Sequence, residues 1–425
     1  MSHAFDFETA LATARTSLAS KLSPLPNEDV DVVETGGLDS MAWVDTLISI
    51  ESATGIRDFG NPWPENRPKT IRTLADMIRE AQKPSPEEKP AVRATEQAGR
   101  ERDITVEGWG YTPGSVAVNA EQIERDLALP LRKIRDGAGI ESVRIAADGE
   151  DELTLGQTAT GVALEMAEVP VERIDFLLAA STTFLGYPSF AASLHSRLLL
   201  RETSGSLDVG GACAGLIYSL AVAKSLLLTR PHGVALVVGS EVHSRRLNAP
   251  QVPGEFRGLF GDGACAFVLS NAATAAQKGC VRLQEFVWGC SGTFASSLGV
   301  QISENAGLSV QFKGEQLARA AVTEMDRIIG TLESLSAKPR SEVDYFALHQ
   351  PNPRVVEILA EKAKIPLERI PLVSKTCGNL GSVTCGASLC QVLTSFRMSG
   401  DHSRTPLIFM AAVAPGLLWG GTFLN

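Results

Sequence analysis

Residues 210–223 read GGACAGLIYSLAVA, a stretch that places a cysteine where a strand gives way to a helix. Residues 207–211 have the character of a strand end that runs into small residues, and 214–228 carry apolar residues at helical spacing. Cys213 is therefore predicted to lie in a tight strand-to-helix turn, where unpaired N–H groups and the helix dipole favour the thiolate, the reactive form of cysteine. The other interpretation is a small buried cysteine in a helix cap.

A second segment, ALHQPN at 347–352, supplies an imidazole. His349 follows an apolar run with strand character at 343–348, and a new helix is predicted from Arg354 to Lys364. A histidine at a strand end can donate a hydrogen bond or pass a proton, although a purely structural histidine fits the same pattern.

A third segment, CGNLGS at 377–382, supplies a carboxamide. Asn379 is predicted to lie in a loop with glycine on both sides, where its amide could stabilise a developing enolate oxygen. A turn asparagine with a left-handed backbone is the alternative. The thiol, the imidazole and the carboxamide together indicate a thiol-based acyl-transfer site that the fold must assemble.

The composition restricts the class of protein. The chain has 425 residues, more than one typical domain, and its net charge of −10 argues against a nucleic-acid partner. No apolar run long enough to span a membrane and no signal segment are expected. Seven cysteines without a CxxC pair indicate a reducing cytoplasm. The spacing of Cys377, Cys385 and Cys390 matches no zinc pattern, so no metal is predicted.

An internal repeat indicates a duplicated α/β architecture. Residues 171–176 (VERIDF) resemble 341–346 (SEVDYF), and each is followed by a strand, a turn and a helix in the sequence pattern. Valine-rich strands that alternate with helices predict buried, mostly parallel sheets.

These motifs resemble those of the type III beta-ketoacyl-acyl carrier protein synthases of the thiolase superfamily. The Cys213, His349 and Asn379 segments match the family's motifs in the right order, and the similarity runs from about Asp103 to Asn425. Further matches are ALVVGSEVHSR (235–245), GLFGDGACAFVL (258–269), AGIESVRIAADGE (138–150) and PGLLWGG (415–421). The resemblance implies a thiolase-like duplicated βαβαβ layered fold, with halves at 103–276 and 277–425 that meet near 274–279.

The resemblance also implies a two-stage reaction and a homodimer. Cys213 would take an acyl group from a thioester on a carrier protein or on coenzyme A, because sulfur is both a good nucleophile and a good leaving group. A malonyl-type thioester would then lose carbon dioxide while His349 and Asn379 stabilise the enolate, which attacks the acyl group. The product would be a beta-ketoacyl thioester, in specialised polyketide or fatty-acid-derived biosynthesis.

Position 415 departs from the family. Pro415 falls where the family usually has a glycine or alanine whose N–H forms half of the oxyanion hole, and proline has no N–H. Either a neighbour such as Gly416 substitutes, or acyl transfer is altered. A non-condensing acyltransferase, which would pass the Cys213 acyl group to an oxygen, nitrogen or sulfur nucleophile, therefore stays open.

Substrate recognition is also expected to differ. Lys133 and Gly137 fall where coenzyme A-using members carry a tryptophan and an arginine, which implies weaker recognition of the nucleotide. Arg354 matches a basic position used for carrier-protein docking, and Tyr187 falls near the aromatic that a partner subunit inserts to limit the acyl pocket. A solvated helix charge and ordinary packing are the alternatives for these two residues.

The region before the synthase resembles an acyl carrier protein. Helices are predicted at Phe5 to Leu22, Ser40 to Thr54 and Thr70 to Ala81, and Asp39-Ser40 matches the family's motif at the start of the second major helix. The resemblance implies 4′-phosphopantetheine on Ser40, attached by a phosphopantetheinyl transferase, and acidic docking positions at Asp39, Asp45 and Glu51. A helix cap is the alternative role for Ser40.

The predicted organisation is a carrier-like domain at 1–82, a charged, proline-bearing linker at 83–102, and the synthase. A tether of this kind gives the carrier an effective concentration near millimolar at the active site of its own or a partner chain, if it spans the distance. A third hypothesis, a non-enzymatic scaffold that presents the carrier, would be revived if Cys213 could not be acylated.

Overall fold

The structure is a computed structural model that describes residues 5–35, 37–56, 59–60, 63–64, 67–81, 103–271, 280–292, 298–303, 307–312, 314–400 and 404–425. The predicted linker (83–102) and the predicted meeting point of the two halves (274–279) lie outside these residues. The described chain is helical before residue 82 and a layered α/β structure after residue 102.

The N-terminal region contains α1 (Phe7–Ala19), α2 (Ser40–Thr54) and α3 (Ile71–Glu80). The side chain of Asp39 accepts hydrogen bonds from the backbone N–H groups of Met41 and Ala42 and so caps the start of α2. Gly55, with a φ of 71°, ends that helix. The bounds of α2 are those predicted, whereas α1 and α3 are shorter at both ends.

These helices have a hydrophobic core of their own. Trp43, Leu47 and Ile50 of α2 are buried in one cluster with Leu74 and Ile78 of α3. The predicted small helical domain therefore has the apolar interior that such a domain needs in order to fold.

The rest of the described chain alternates strands and helices. The strands are β1 (Thr105–Pro113), β2 (Val116–Asn119), β3 (Ser142–Ile145), β4 (Phe176–Ala180), β5 (Gly205–Asp208), β6 (Val234–Val242), β7 (Asp262–Ser270), β8 (Val281–Cys290), β9 (Leu298–Ser303), β10 (Gly307–Phe312), β11 (Tyr345–Leu348), β12 (Ile408–Ala414) and β13 (Leu418–Leu424). The helices are α4 (Ala120–Asp126), α5 (Glu152–Ala167), α6 (Phe190–Arg197), α7 (Gly215–Thr229), α8 (His243–Arg246), α9 (Gly254–Arg257), α10 (Gly314–Ser336), α11 (Pro353–Ala363), α12 (Ser374–Cys377) and α13 (Thr384–Ser399).

Within the described residues, nine strands form one sheet in the order β11-β12-β13-β8-β1-β7-β6-β4-β5. Read from the outside inwards, β4-β6-β7-β1 in one half corresponds to β11-β12-β13-β8 in the other. Short 3-10 turns at Val171–Arg173 and Arg340–Glu342, the two repeated segments, precede β4 and β11. The predicted duplicated α/β fold is confirmed.

The expectation of mostly parallel sheets is wrong. β4 is parallel to β5 and β6, and β11 to β12, but the pairs β6–β7, β7–β1, β12–β13 and β13–β8 are antiparallel. The turn at Pro415–Leu417 is all that joins β12 to β13, and it is too short for the crossover that parallel neighbours require. Parallel pairs occur only where a helix intervenes.

Two equivalent helices form the middle layer. α7 packs on β4 and β6, α13 packs on β1, β7 and β11, and both share one buried cluster with strands of the two halves. Residues Ala212–Thr229 are apolar and long enough to cross a membrane, contrary to expectation, but 56% of this segment is buried inside the protein. Its packing on the sheet accounts for its apolar composition.

The outer layer on the C-terminal half consists of α10 and α11, and α2 of the helical domain lies against both. Val44 and Ile48 of α2 are buried in the same hydrophobic cluster as side chains of α10 and α11. The helical domain is thus packed on the C-terminal half of the layered α/β structure.

On the N-terminal half, glycine allows α5 to approach β1 closely. A Cβ atom added at Gly108 would lie 2.1 Å from the carbonyl oxygen of Ala163, which is backbone and cannot turn aside. By contrast, a Cβ added at Gly161 on the exposed side of α5 meets nothing within 4 Å.

We therefore expect Gly108→Ala to lower the free energy of unfolding by ~1–3 kcal/mol or more, since α5 must move away from the sheet. Gly161→Ala is the matched control and should be neutral or stabilising by ~0.5–1 kcal/mol, because alanine is the better helix former. Urea unfolding followed by circular dichroism compares the two variants. Equal midpoints would contradict the close packing of α5 on β1.

Candidate active site

The three side chains singled out in the sequence meet in one place. Cys213, His349 and Asn379 all line a cavity of about 260 Å³. Cys213 comes from the turn before α7, His349 from the end of β11, and Asn379 from the loop between α12 and α13. The fold thus assembles a thiol, an imidazole and a carboxamide around a shared space.

Cys213 occupies a 3-10 turn at Ala212–Ala214, immediately before α7. The backbone is unusual there, since Gly211 has a φ of 153° and Ala212 a φ of 46°. Burial of the thiol, together with the nearby charge of Glu241, raises the pKa of Cys213 to about 12. Desolvation therefore outweighs the helix terminus, and the free thiol is protonated at neutral pH, which differs from the thiolate that the sequence pattern favours.

His349 directly follows β11, and its backbone N–H donates a hydrogen bond to the carbonyl oxygen of Ala411 at 2.9 Å. Its side chain is buried, and within the described residues its Nδ1 atom has no hydrogen-bond partner. Burial lowers the pKa of His349 to about 4, opposed by a hydrogen bond to the backbone of Gly381 and reinforced by the neighbouring His243. The imidazole is therefore neutral at pH 7, and in that form it carries one N–H that can donate a hydrogen bond.

Asn379 is held by its backbone and by its own oxygen. Its N–H donates to Leu259 O at 2.8 Å, and its carbonyl accepts from Gly261 N at 3.0 Å. Its side-chain oxygen accepts a hydrogen bond from Gly381 N at 2.9 Å. Because the oxygen is engaged, the NH₂ group is the donor that Asn379 can offer to a ligand. Gly261 immediately precedes β7.

A buried carboxylate that the sequence analysis did not single out supports this loop. Glu241, fully buried in β6, accepts hydrogen bonds from Ser382 Oγ at 2.6 Å and from Thr182 N at 2.9 Å. It thereby links the turn after Asn379 to the end of β4. The sequence does contain a signal for this role, since Glu241 is a charged residue inside the apolar strand sequence ALVVGSEV. A buried charge requires several hydrogen bonds, so a glutamate at such a position indicates a polar network around it.

The remaining predicted site residues differ in whether they line this cavity. Pro415 lines the cavity, and Gly416, with a φ of 74°, follows it in the turn to β13. Lys133 and Gly137 also line the cavity. Tyr187 is fully exposed between β4 and α6 and is not among the residues that line it.

Arg354 is the second residue of α11 and pairs with Glu357 at 2.9 Å. It also lines a neighbouring pocket together with Asp39 and Asp45 of the helical domain. Its ion pair is made within its own helix, and its predicted role in carrier-protein docking stays a prediction.

Ser40 lines the same cavity as Cys213, together with Asp39 and Met41. Asp39 makes the capping hydrogen bonds of α2, and among the described residues none engages the exposed hydroxyl of Ser40. The capping role considered for Ser40 thus belongs to Asp39. The start of α2 therefore lies on the wall of the cavity that contains Cys213.

Comparison with known proteins identifies relatives of the part after residue 102. The family model described as 3-Oxoacyl-[acyl-carrier-protein (ACP)] synthase III matches residues 207–292, and its C-terminal counterpart matches 336–425. A beta-ketoacyl-[acyl-carrier-protein] synthase III of Ruegeria pomeroyi is 30% identical over 336 residues, which are 77% of this chain and 99% of that protein. A protein of the same description from Cereibacter sphaeroides is 30% identical over 326 residues, 74% of this chain and 96% of the relative.

Solved structures agree on the fold. The 3-oxoacyl-[acyl-carrier-protein] synthase III of Aquifex aeolicus superimposes with a TM-score of 0.67 at 25% identity, over 76% of this chain and 99% of that chain. OleA of Xanthomonas campestris gives a TM-score of 0.67 at 17% identity, over 76% and 98% of the two chains, and shares the fold alone. This chain is longer than these relatives.

The raised pKa of Cys213 makes a test of the site's electrostatics possible. The rate of alkylation of Cys213 by iodoacetamide should be low at pH 7 and rise roughly tenfold per pH unit up to pH ~9 without a plateau, since only the thiolate reacts. Peptide mass spectrometry separates Cys213 from the other cysteines, and Cys213→Ala supplies the blank. A plateau between pH 6 and 8 would show instead that the helix terminus dominates over burial.

Proposed function

This chain belongs to the 3-oxoacyl-(acyl-carrier-protein) synthase III family of condensing transferases, and we propose that it is a ketosynthase with its own fused acyl carrier domain. The proposed reaction transfers an acyl group to Cys213 and then condenses it with a malonyl-type thioester. A single observation carries the proposal: Cys213, His349, Asn379 and Ser40 line one cavity.

In the first step the sulfur of Cys213 attacks the carbonyl carbon of an acyl thioester. The new bond joins Sγ to the acyl carbon, the donor's carbon–sulfur bond breaks, and the proton of Cys213 ends on the departing thiol. Because the cysteine is protonated at rest, proton removal must accompany the attack.

In the second step a malonyl-type thioester loses carbon dioxide within the cavity. The electrons of the broken carbon–carbon bond form an enolate, whose oxygen the neutral His349 and the NH₂ group of Asn379 would stabilise by hydrogen bonds. Such donors act strongly in a buried site because water does not compete with them. The enolate carbon then attacks the acyl group, and Cys213 leaves as a thiolate that takes up a proton.

Ser40 is the proposed attachment residue for 4′-phosphopantetheine. An arm on this residue would supply the thiol that carries acyl groups. The residues present fit the group, since the Ser40 hydroxyl is exposed, is not used in capping α2, and lies on the wall of the cavity that contains Cys213. We further propose a role in specialised polyketide or fatty-acid-derived biosynthesis, with the synthase acting as a homodimer.

Variants at the three cavity residues test the mechanism. We expect His349→Ala and Asn379→Ala each to reduce the release of carbon dioxide from malonyl-pantetheine, which lacks the nucleotide, by ~10²–10³, because each removes a donor to the enolate oxygen. Acylation of Cys213 by acyl thioesters should persist in both variants, as intact mass spectrometry would show.

His232→Ala is the matched control, because His232 is exposed in the turn between α7 and β6. It should leave carbon dioxide release unchanged. If His349→Ala and Asn379→Ala retained full decarboxylation, enolate stabilisation would have to be reassigned to other residues.

The second candidate function is plain acyl transfer from Cys213 to another nucleophile, and Pro415 keeps it open. Pro415 lies on the cavity wall yet offers no N–H to an acyl-thioester oxyanion. A site that has lost this donor is slower in acyl transfer, and the balance between condensation and transfer then depends on which nucleophile follows.

Replacing the proline measures that loss. Pro415→Ala should accelerate acylation of Cys213, by up to ~10²–10³ if the restored N–H reaches the oxyanion. Pro351→Ala, which changes another proline of the cavity wall, is the control and should have little effect on the rate. Unchanged acylation in Pro415→Ala would mean that another donor, such as Gly416, already completes the oxyanion hole.

A further inference from the structure

We infer that the helical domain docks on the synthase of its own chain as the resident carrier, with Ser40 over the cavity, and that it excludes free coenzyme A thioesters while docked. This inference rests on the proposed function and concerns which thioester reaches Cys213. It is carried by three independent features of the interface: its apolar contact, its buried ion pair and the charge of the cavity mouth.

The apolar contact is continuous with the synthase core. Val44 and Ile48 of α2 are buried in a cluster with Val322 and Met325 of α10 and Ile358 of α11. Met41 packs against the same cluster and lines the cavity. Because α2 carries Ser40 at its first position, this contact fixes the serine relative to the cavity.

A buried ion pair fixes the orientation of the contact. Glu51, near the end of α2, accepts a hydrogen bond from Arg319 Nη2 at 2.5 Å, and their side chains are only 9% and 3% exposed. Lys362 of α11 lies 3.8 Å from the second oxygen of Glu51, and Phe59 N donates to the first at 3.0 Å. A buried carboxylate and guanidinium are tolerated when they are paired, so this match favours one docked arrangement over others.

The charge at the mouth disfavours a free coenzyme A. The cavity is lined by three acidic residues, Asp39, Glu255 and Glu315. Among the described lining residues the lysine is Lys133, and its ammonium group lies 3.5 Å from the carboxylate of Glu255. Lys69 pairs with Glu315 at 2.9 Å across the interface. Both lysines are therefore engaged in ion pairs, and the described lining residues offer the phosphates of coenzyme A no unpaired cation, whereas a carrier that is part of the rim needs none.

A cross-linking experiment on the full chain tests delivery by the resident domain. A phosphopantetheinyl transferase loads Ser40 with a pantetheine analogue that ends in a thiol-reactive bromoacetamide, and peptide mass spectrometry locates the cross-link. We expect Ser40 and Cys213 to become joined within one chain, and no such product from Cys213→Ala.

Mixed chains distinguish delivery within a chain from delivery between subunits. Isotope-labelled Cys213→Ala loaded on Ser40 is mixed with unlabelled Ser40→Ala, so that only a cross-link between chains can form. We expect less than a tenth of the wild-type yield. A comparable yield would overturn docking within the chain, and so would a wild-type chain that carries the arm but forms no cross-link.

The ion pair is tested by Arg319→Met, with Arg327→Met as the matched control. Both arginines lie on α10, but Arg327 pairs with Glu324 of the same helix. We expect Arg319→Met to slow the formation of the cross-link by about tenfold or more, because the buried carboxylate of Glu51 loses its guanidinium partner. The same variant should speed the acylation of Cys213 by free acetyl-coenzyme A by a similar factor. Circular dichroism verifies that both variants stay folded.

Glu51→Gln provides a second variant from the other side of the interface and should act in the same direction. If Arg319→Met and Glu51→Gln changed neither rate relative to Arg327→Met, the ion pair would not hold the domain in place and the inference would fall. If the arm could not be installed on Ser40 at all, the carrier part of the proposed function would fail first, and this inference with it. The two failures are therefore distinguishable.

Discussion

The site depends on the packing of the starts of α7 and α13, because the turns that precede the two helices contact each other in the middle layer. A Cβ atom at Gly386 of α13 would lie 2.5 Å from the side chains of Cys265 in β7 and Leu216 in α7, so the absence of a side chain at Gly386 leaves room for both. The helices are equivalent in the duplicated fold, and each is preceded by a 3-10 turn, at Ala212–Ala214 and Gly381–Val383. The pseudo-symmetry therefore brings two helix starts together, one beside Cys213 and the other beside Asn379.

Burial then decides the charge state of the site. The same desolvation raises the pKa of Cys213 to about 12 and lowers that of His349 to about 4, so both side chains are neutral at pH 7. Glu241 is a nearby carboxylate, and Ser382 and Thr182 satisfy it through hydrogen bonds. The neutral imidazole can donate a hydrogen bond to an enolate oxygen, and the protonated thiol has to lose its proton during acyl transfer.

The sequence was sufficient where local pattern determines structure. The bounds of α2 follow from its cap at Asp39 and its terminating Gly55, and the turn at Cys213 follows from a change of periodicity. Contacts between residues that are distant in the sequence could not be predicted in the same way. The antiparallel pairs of the sheet depend on which strands become adjacent, and the pair of Glu51 with Arg319 joins residues 268 positions apart. The protonation of Cys213 depends on burial that only the packed structure defines.

Two features of this chain bear on the same step, and under the proposed function they offset each other. The missing N–H at Pro415 removes an oxyanion donor, a loss typically worth ~10²–10³ in rate. A tethered carrier is present at an effective concentration near millimolar, which is about a thousandfold above a free carrier at micromolar concentration. A slow acylation by a donor that is always present can then match a faster acylation by a dilute one. The fused domain and the altered oxyanion hole are, on this argument, features of one enzyme that acylates Cys213 from its own Ser40.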